Sequence, residues 1–492
     1  MKRLKILMIA SEAAPFARTG GLGDVVGALP DALAGLGHEV KVVLPRYSQI
    51  DAGTHDLQLV REGLNVPDGL SHSSCSVERA GATEGSVDFL FVGNVDYFGR
   101  VGMYLDPQTG KDFTDNDLRF AFHARAALES VRALNWRPDV IHIHDWQASL
   151  VPAMLKHGYR EDGFFEGTAT VLTIHNLGYQ GLFEAERFPG LGLPESLFYA
   201  MTGDAEFFGK VNFLKAGIKG ADKITTVSKR YAREIQTGEE FGCGLEGVLS
   251  DRSSDLVGIL NGVDYAIWSP KTDRLIPHRY WPANMSGKRM SKVDLMGETG
   301  LPLRDKTPLV GMVTRLASQK GIDLLVDKAD ALLGMNLQMI VLGTGDQEYH
   351  EALKQLEVKY PDRFKVVLEF NDAMAHRIQA GADVFLMPSR YEPCGLNQLY
   401  ALKYGTVPVV RAVGGLADTV VDYDEQVGSG TGFVFEEYKG EAMLAALKRA
   451  VDLYPKRQRW MKLMKNGMAQ DFSWSRSASE YATLFDSLAT ND

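Results

Sequence analysis

Short apolar runs alternate with longer amphipathic stretches along most of the chain, in two successive series. The first series consists of the strand-like runs 4–10, 40–44, 87–92, 140–144, 170–175 and 224–228. The second consists of the runs 309–314, 339–343, 364–368, 384–388, 407–410 and 432–435. Runs of this length, nearly all apolar and separated by helical stretches, are typical of buried parallel strands. The pattern therefore predicts an α/β protein with two doubly wound, Rossmann-like domains.

The segment between the two series lacks a clear strand period. It runs from Asn261 to about Arg304 and is rich in Pro, Trp, Asn and Lys. We interpret it as a linker followed by a helix that leads into the second domain. The expected domains are 1–264 and 265–473. Because ligands bind outside the carboxyl ends of strands in such sheets, we expect a site in a cleft that the two domains face.

Composition narrows the class of protein. A chain of 492 residues, 45% hydrophobic and 24% charged, fits a globular protein of two domains. No apolar run approaches the roughly 18 residues of a membrane helix, and the net charge of −10 disfavours nucleic acid as a partner. Three cysteines, an odd number, argue against a disulfide framework. We therefore expect a cytoplasmic protein that binds neither membrane nor nucleic acid.

The most informative motif is S-R-Y-E-P-C-G-L-N-Q, residues 389–398. It follows a predicted strand and precedes a helix expected from Gly395 to Tyr404. Glu392 can hold sugar hydroxyls, and backbone N–H groups at a helix start can bind hydroxyl or phosphate oxygens. The motif, with its Cys394, Gly395 and Leu396, and the following loop of Gly414, Gly415 and Leu416 predict a sugar-nucleotide site.

Cations at other strand ends predict a phosphate clamp. Arg18 precedes Gly20 and Gly21 in R-T-G-G-L-G-D, whose spacing matches neither a dinucleotide fingerprint nor a P-loop. Arg315 and Lys320 lie five residues apart after the first strand of the second series. Such side chains can neutralise a departing diphosphate. The alternatives are a tight glycine turn, a surface ion pair for Arg18, and solvated surface cations.

Polar and aromatic residues at three further strand ends are candidates for the same site. His142 and His144 share a strand face, but a third metal ligand at suitable spacing is missing, so we expect no metal. Asp145 and His175 each end a strand and are better placed for a sugar pocket. Phe370 follows another strand, where it could stack on a base or fill a hydrophobic gap.

Taken together, R-T-G-G-L-G-D-V, H-D-W-Q, H-N-L-G-Y-Q-G, N-G-V-D, R-L-x-x-Q-K-G, S-R-Y-E-P-C-G-L-N-Q-L-Y and G-G-L-A-D-T-V resemble the bacterial glycogen synthase and plant starch synthase family. The resemblance extends in order from about Ile6 to Asp422. It implies a GT-B fold and transfer of glucose from ADP-glucose to the non-reducing 4-hydroxyl of an α-1,4-glucan, with retention and without a cofactor. It also implies that the C-terminal helix 474–492 packs back onto the first domain.

The resemblance assigns roles to individual positions. Arg315 and Lys320 would stabilise the phosphates, with Arg18 near them, and Glu392 would hold glucose hydroxyls. His175 and Asp145 would line the reacting sugar. The remaining donor-site positions implied are Gly20, Gly21, Asn261, Phe370, Cys394, Gly395, Leu396, Gly414, Gly415 and Leu416.

Three positions depart from the usual family pattern. Arg18 replaces a lysine, which keeps the charge but changes its shape, and Phe370 and Asn397 stand where Tyr and Thr are often found. Alternative functions are a sucrose-forming or epimerising GT-B enzyme, a phosphorylase, and a glucan-binding scaffold without turnover. A phosphorylase is disfavoured because no convincing lysine segment for pyridoxal phosphate is present.

Overall fold

The computed structural model describes residues 2–69, 71–80, 87–159, 163–199 and 203–489. The chain separates into two compact units. Unit 1 comprises residues 1–227, 232–262 and 474–492, and unit 2 comprises residues 228–231 and 263–473.

Unit 1 is built on a large, mostly parallel sheet. The strands of this part of the chain are β1 Lys5–Ile9, β2 Glu39–Pro45, β3 Gln58–Asp68, β4 Ser71–Arg79, β5 Asp88–Gly93, β6 Val140–His144, β7 Ala169–Ile174, β8 Leu182–Glu184, β9 Glu206–Phe207, β10 Lys210–Asn212, β11 Lys223–Thr226 and β12 Leu256–Gly258. The large sheet has the order β12-β11-β7-β6-β1-β2-β5-β4-β3, and β8, β10 and β9 form a small separate sheet. In the large sheet β4 pairs antiparallel with both β3 and β5, and the other neighbouring strands are parallel.

Helices cover the strands of unit 1. They are α1 Gly21–Gly35, α2 Val95–Phe98, α3 Asn116–Ala133, α4 Asp145–Ala148, α5 Val151–Gly158, α6 Phe213–Gly220, α7 Lys229–Glu234, α8 Glu239–Gly242 and α9 Glu246–Asp251, with 3₁₀ turns at Ala185–Leu191 and Glu195–Leu197. The first residues of α7 are assigned to unit 2. α3 is buried along nearly its whole length, which fixes it against the sheet.

Unit 2 has a fully parallel sheet. Its strands are β13 Leu309–Val313, β14 Gln338–Leu342, β15 Phe364–Val367, β16 Val384–Met387, β17 Val407–Arg411 and β18 Phe433–Phe435. Its helices are α10 Ser286–Thr299, α11 Ile322–Asp327, α12 Ala329–Gly334, α13 Gln347–Lys359, α14 Asp372–Gly381, α15 Asn397–Tyr404, α16 Gly414–Thr419, α17 Gly440–Leu453 and α18 Arg457–Met468, with a 3₁₀ turn at Ser318–Lys320. Apolar side chains of the strands supply separate buried clusters.

A last helix, α19 Trp474–Ala489, returns to unit 1 and packs on α1. Its Tyr481 and Phe485 rings contact the His142 ring on β6. The end of the helix predicted over 474–492 lies outside the described residues.

The prediction of two doubly wound α/β domains is confirmed, and each predicted apolar run contains a parallel strand. The sequence pattern missed the hairpin of β3 and β4, the small sheet and β12. β3 and β4 are mixed in polarity because much of their surface is exposed, so they lack the apolar signature of central strands. The helix predicted from Gly395 begins at Asn397 instead.

Both sheets reverse their strand order at one place. In unit 2 the order β15-β14-β13-β16-β17-β18 reverses between β13 and β16. In the parallel part of the unit 1 sheet, the order reverses between β1 and β6. Connections leave such a point in opposite directions and open a crevice at the carboxyl ends of the strands. The residues that follow these four strands are therefore candidates for a ligand-binding site.

Candidate active site

In unit 2, an acid and a cation meet at the reversal point of the sheet. Lys320 follows β13 and Glu392 follows β16. Lys320 Nζ lies 2.9 and 2.7 Å from the two carboxylate oxygens of Glu392. Ser389 Oγ donates to Glu392 Oε2 at 3.0 Å. The Glu392 side chain is buried, where an unpaired charge would be costly. Lys320, which lies 72 residues earlier in the chain, compensates this charge.

The glycine after Lys320 makes this approach possible. Gly321 has a φ of +75°, a left-handed conformation that glycine adopts at low cost. A Cβ at this position would lie 2.2 Å from the carbonyl oxygen of Pro388. Any larger residue would therefore push the 3₁₀ turn that carries Lys320 away from the segment that carries Glu392.

Arg315 is tied to the same segment through Gln319. Arg315 Nη2 donates to Gln319 Oε1 at 3.1 Å. The backbone carbonyl of Gln319 accepts from the N–H of Arg390 at 2.8 Å, and its side-chain amide donates to the carbonyl of Tyr391 at 3.4 Å. The structure thus joins Arg315, Lys320 and Glu392 in one network. Our reading of the sequence missed Gln319, whose only signal was its place inside R-L-A-S-Q-K-G.

The loop of Gly414, Gly415 and Leu416 lies directly against the Glu392 segment. A Cβ on Gly414 would stand 2.0 Å from the carbonyl oxygen of Glu392, and one on Gly415 would stand 2.0 Å from that of Cys394. The N–H of Gly415 lies 3.1 Å from the carbonyl oxygens of both Glu392 and Pro393. The close packing of this loop therefore fixes the position of the Glu392 backbone relative to the end of the sheet.

The backbone around Gly395 explains why α15 begins late. Gly395 has a φ of +69°, which is incompatible with a right-handed helix. Leu396 occupies the position before the first helical residue, and Gln398 donates back to the carbonyls of Cys394 and Gly395, each at 2.9 Å. The turn holds Cys394, Gly395 and Leu396 beside the N-terminus of α15.

Phe370 stands at the end of the edge strand β15, just before α14. Its side chain is 76% exposed. The ring therefore does not fill a gap in the core of unit 2, which was one of the two roles considered for it. A solvent-exposed aromatic ring at the carboxyl edge of the sheet can stack on a nucleotide base.

In unit 1, the glycine loop after β1 is held by Glu12, a residue that sequence reasoning missed. Glu12 is buried and accepts hydrogen bonds from the N–H and hydroxyl of Thr19, both at 2.6 Å, and from the N–H of Gly20 at 3.3 Å. Tyr104 donates its hydroxyl to Glu12 at 2.7 Å. The Glu12 carboxylate thereby fixes the backbone conformation of the loop.

The glycines of this loop leave room beside them. A Cβ added at Gly20 or Gly21 would meet no heavy atom within 4 Å. By contrast, a Cβ at Gly23 would lie 2.8 Å from Cγ of Arg18. Arg18 forms an ion pair with Asp24 at 2.8 Å, which is the alternative that the sequence left open. Both side chains are about one-third exposed, so solvent screens the pair.

Asp145 organises the loop that carries His175. Its carboxylate accepts the N–H of His175 at 2.7 Å and also that of Asn176. Burial raises the pKa of Asp145 to about 7, although these backbone bonds favour the charged form and lower it. The nearby Glu12 carboxylate raises the pKa further.

His175 is hydrogen-bonded to a second imidazole. His144 Nδ1 and His175 Nε2 lie 2.9 Å apart, and burial lowers the pKa of His175 to about 3, so both rings are neutral. His144 Nε2 is buried and has no hydrogen-bond partner among the described residues. A proton on that nitrogen would be an unpaired buried donor. The favoured tautomer of His144 therefore donates Nδ1–H to His175, which leaves His175 protonated on Nδ1.

Asn261 and His142, the remaining candidates in unit 1, are both buried. Asn261 is buried after β12, and its Oδ1 has no hydrogen-bond partner in the described part of the chain. His142 is hydrogen-bonded to Thr173 at 2.6 Å and packs on His144 at a ring distance of 4.1 Å.

Within the described ranges, no group of three His, Cys, Asp or Glu side chains is arranged to hold a metal ion. The helices described there include none with the length and apolarity to cross a membrane.

Two Rossmann-like units, with an acid–cation network and a glycine loop at carboxyl edges, define a glycosyltransferase of the GT-B class. The starch synthase catalytic domain family matches residues 5–251, and the group 1 glycosyl transferases match residues 299–466. The chain belongs to the glycogen synthase and starch synthase family, so the predicted family and enzyme class are confirmed.

Individual relatives agree with this assignment. The glycogen synthase of Koribacter versatilis (strain Ellin345) is 47% identical over 483 residues and covers 98% of each chain. The catalytic domain of starch synthase IV from Arabidopsis thaliana, bound to ADP and acarbose, is 32% identical with a TM-score of 0.91 over 100% of both chains. Sucrose-phosphate synthase from Thermosynechococcus elongatus, at 17% identity and a TM-score of 0.62 over 100% of both chains, shares the fold.

Proposed function

We propose that this enzyme transfers glucose from ADP-glucose to the non-reducing 4-hydroxyl of an α-1,4-glucan, with retention of configuration. The Lys320–Glu392 pair, joined to Arg315 through Gln319, carries the proposal. A diphosphate needs cations and a hexose needs a hydroxyl acceptor, and this network supplies both within one unit. The glycogen synthase relatives and the ADP in the related starch synthase support this choice of substrates.

The cations act where charge develops. The bond between C1 of glucose and the diphosphate oxygen breaks, and a bond from C1 to the acceptor O4 forms. The proton of the acceptor hydroxyl passes to the departing phosphate oxygen, and ADP leaves. Arg315 and Lys320 stabilise the negative charge on the diphosphate as it leaves, and Glu392 keeps Lys320 in place while accepting sugar hydroxyls.

A covalent route with a carboxylate nucleophile is disfavoured. Such a nucleophile needs a free, charged oxygen beside C1. Glu392 is bound by Lys320 and Ser389, and Asp145 is buried and bound to backbone N–H groups. Attack from the same face as the departing phosphate explains retention without a second free carboxylate.

Unit 1 contributes the other proposed donor contacts. We propose that His175, Asn261, Arg18 and the open space beside Gly20 and Gly21 contact the donor, while Asp145 positions the His175 loop. Phe370 of unit 2 is proposed to stack on adenine, and the N–H groups around Cys394, Gly395 and Leu396 to bind donor oxygens. The three cysteines, none of them in a disulfide, fit the proposed cytoplasmic location.

The proposal is tested by incubating the purified enzyme with ADP-glucose and glycogen. We expect ADP release that matches glucan lengthening, and a new α-1,4 linkage in the product by NMR. A parallel reaction with UDP-glucose measures the nucleotide preference. Sucrose formed with fructose, sucrose phosphate formed with fructose 6-phosphate, or glucan binding without ADP release would support a rival function and reject this one.

A further inference from the structure

A short hairpin in unit 1 presents an aromatic ring to solvent from a strained backbone position. β9 and β10 pair Phe207 with Lys210, which leaves Phe208 and Gly209 as a two-residue loop. Their φ angles are +51° and +82°. Positive φ at both central residues is the signature of a type I′ turn, for which Asn-Gly is the favoured sequence. A bulky side chain is disfavoured at the first of these positions.

Burial does not compensate for this strain. Phe208 is 85% exposed, and its ring contacts that of its neighbour Phe207, at a centroid distance of 4.7 Å. Phe207 packs closer to Gly244 than Phe208 does: a Cβ at Gly244 would lie 2.8 Å from Cζ of Phe207 and 3.7 Å from Cε2 of Phe208. Asn at position 208 would suit the turn better and would leave less apolar surface in water. Stability therefore gives no reason for phenylalanine at this position.

The hairpin is continuous with the loop that carries His175. That loop runs through Gln180 into β8, which pairs with β10. The buried Gln180 side chain accepts from Asn212 Nδ2 at 2.7 Å and donates to the carbonyl of Cys243 at 3.0 Å. The carbonyl of Gln180 accepts from the N–H of Leu214 at 3.1 Å. These bonds fix the hairpin relative to the loop. Asn212 pairs with Leu182 and Lys210 pairs with Glu184, so Phe208 lies at the end of the hairpin that is farther from the His175 loop.

We infer that Phe208 is a binding residue for the α-glucan acceptor, contacting sugar rings beyond the one that reacts. This inference rests on the proposed function, in which the acceptor is a long polymer and only its end reacts. The C–H face of a glucose ring is apolar and packs on the negative face of an aromatic ring. Phe208 would extend the surface that binds the polymer, and this gain in glucan binding accounts for a phenylalanine at a strained turn position.

The test compares Phe208→Asn with the wild-type enzyme on acceptors of different length. We expect the KM for glycogen to rise at least threefold with kcat unchanged, and the KM for maltotriose to rise much less. Because asparagine relieves the turn, we expect the midpoint of thermal unfolding to rise by roughly 1–3 °C. Phe208→Trp should retain the wild-type KM for glycogen.

Val358→Asn is the matched control, since Val358 is 82% exposed on α13 and its replacement also removes an exposed apolar side chain. It should leave the KM for glycogen unchanged. An unchanged glycogen KM in Phe208→Asn would overturn the inference, and so would equal losses for maltotriose and glycogen or a change of oligomeric state. Affinity electrophoresis in glycogen gels measures binding without turnover, so this inference and the proposed reaction can fail independently.

Discussion

Lys320 Nζ lies within hydrogen-bonding distance of both carboxylate oxygens of Glu392, at 2.9 and 2.7 Å. The sequence assigned the lysine to phosphate and the acid to sugar. The contact shows that the two groups also depend on each other, because each charge is largely shielded from water. Removing either partner leaves the other uncompensated in a poorly solvated place.

We predict that Lys320→Ala lowers kcat about a hundredfold, corresponding to about 3 kcal/mol of transition-state stabilisation. Glu392→Ala should lower it comparably, and the double variant should lose less than the sum of the two barriers because they act as a unit. Steady-state kinetics with ADP-glucose and glycogen measure both effects. Lys328→Ala, which breaks the exposed pair with Glu441, is the control and should retain full activity. Strictly additive losses would contradict the coupling.

We predict that Arg315→Ala also lowers kcat about a hundredfold, through lost charge stabilisation. Gln319→Leu should cost less, about tenfold, because the guanidinium remains but loses the amide that orients it at 3.1 Å. Turnover near the wild-type value in Arg315→Ala would remove this side chain from the proposed clamp. Far-ultraviolet circular dichroism confirms that each variant is folded.

Two glycine substitutions should separate structural from binding roles. Gly415→Ala places a Cβ 2.0 Å from the carbonyl oxygen of Cys394, so we expect the unfolding midpoint to fall by about 5 °C or more, together with activity. Gly21→Ala meets no atom within 4 Å, so the midpoint should be unchanged. If Gly21 borders the donor, the KM for ADP-glucose rises in this variant. A marked loss of stability in Gly21→Ala would show that the space is occupied.

The raised pKa of Asp145 predicts a pH-dependent stability. In the unfolded chain this carboxyl titrates near 3.8, whereas in the folded protein its pKa is about 7. Between these values the folded state binds the extra proton, so this group's contribution to stability falls as pH rises from about 4 to 7. Asp145→Asn does not titrate. The midpoint of the variant relative to wild type should therefore rise between pH 5 and pH 8, and a constant difference would contradict the assignment.

The tautomer inferred for His144 predicts a spectroscopic signature. In wild-type enzyme labelled with ¹⁵N-histidine, His175 should be neutral with its proton on Nδ1, because its Nε2 accepts from His144. His144→Leu removes that donor and should shift His175 toward the other tautomer, with about a tenfold loss of kcat. His144→Asn keeps an N–H near the place of Nδ1 and should restore both properties. A proton found on Nε2 of His175 in the wild-type enzyme would refute the assignment.

Much of the fold could be predicted from the sequence because central parallel strands are buried on both faces. The run Val384–Met387, for example, is apolar throughout, and Pro388 marks the point where it ends. The strands β3 and β4 could not be recognised in this way, since half-exposed strands at the end of a sheet mix polar and apolar residues as loops do. The family assignment needed only the order of motifs along the chain.

The sequence by itself determined the two α/β units, the enzyme family and the identity of the charged residues at strand ends. Those properties depend on local periodicity and on residue types that stand close together in the chain. Only the tertiary structure decided that Lys320 pairs with Glu392, that Gln319 links Arg315 to them, and that Glu12 holds the loop of Gly20. These contacts depend on which strands become neighbours and on the angstrom-scale clearance that Gly321 and Gly415 permit. Neither is encoded in any short stretch of residues.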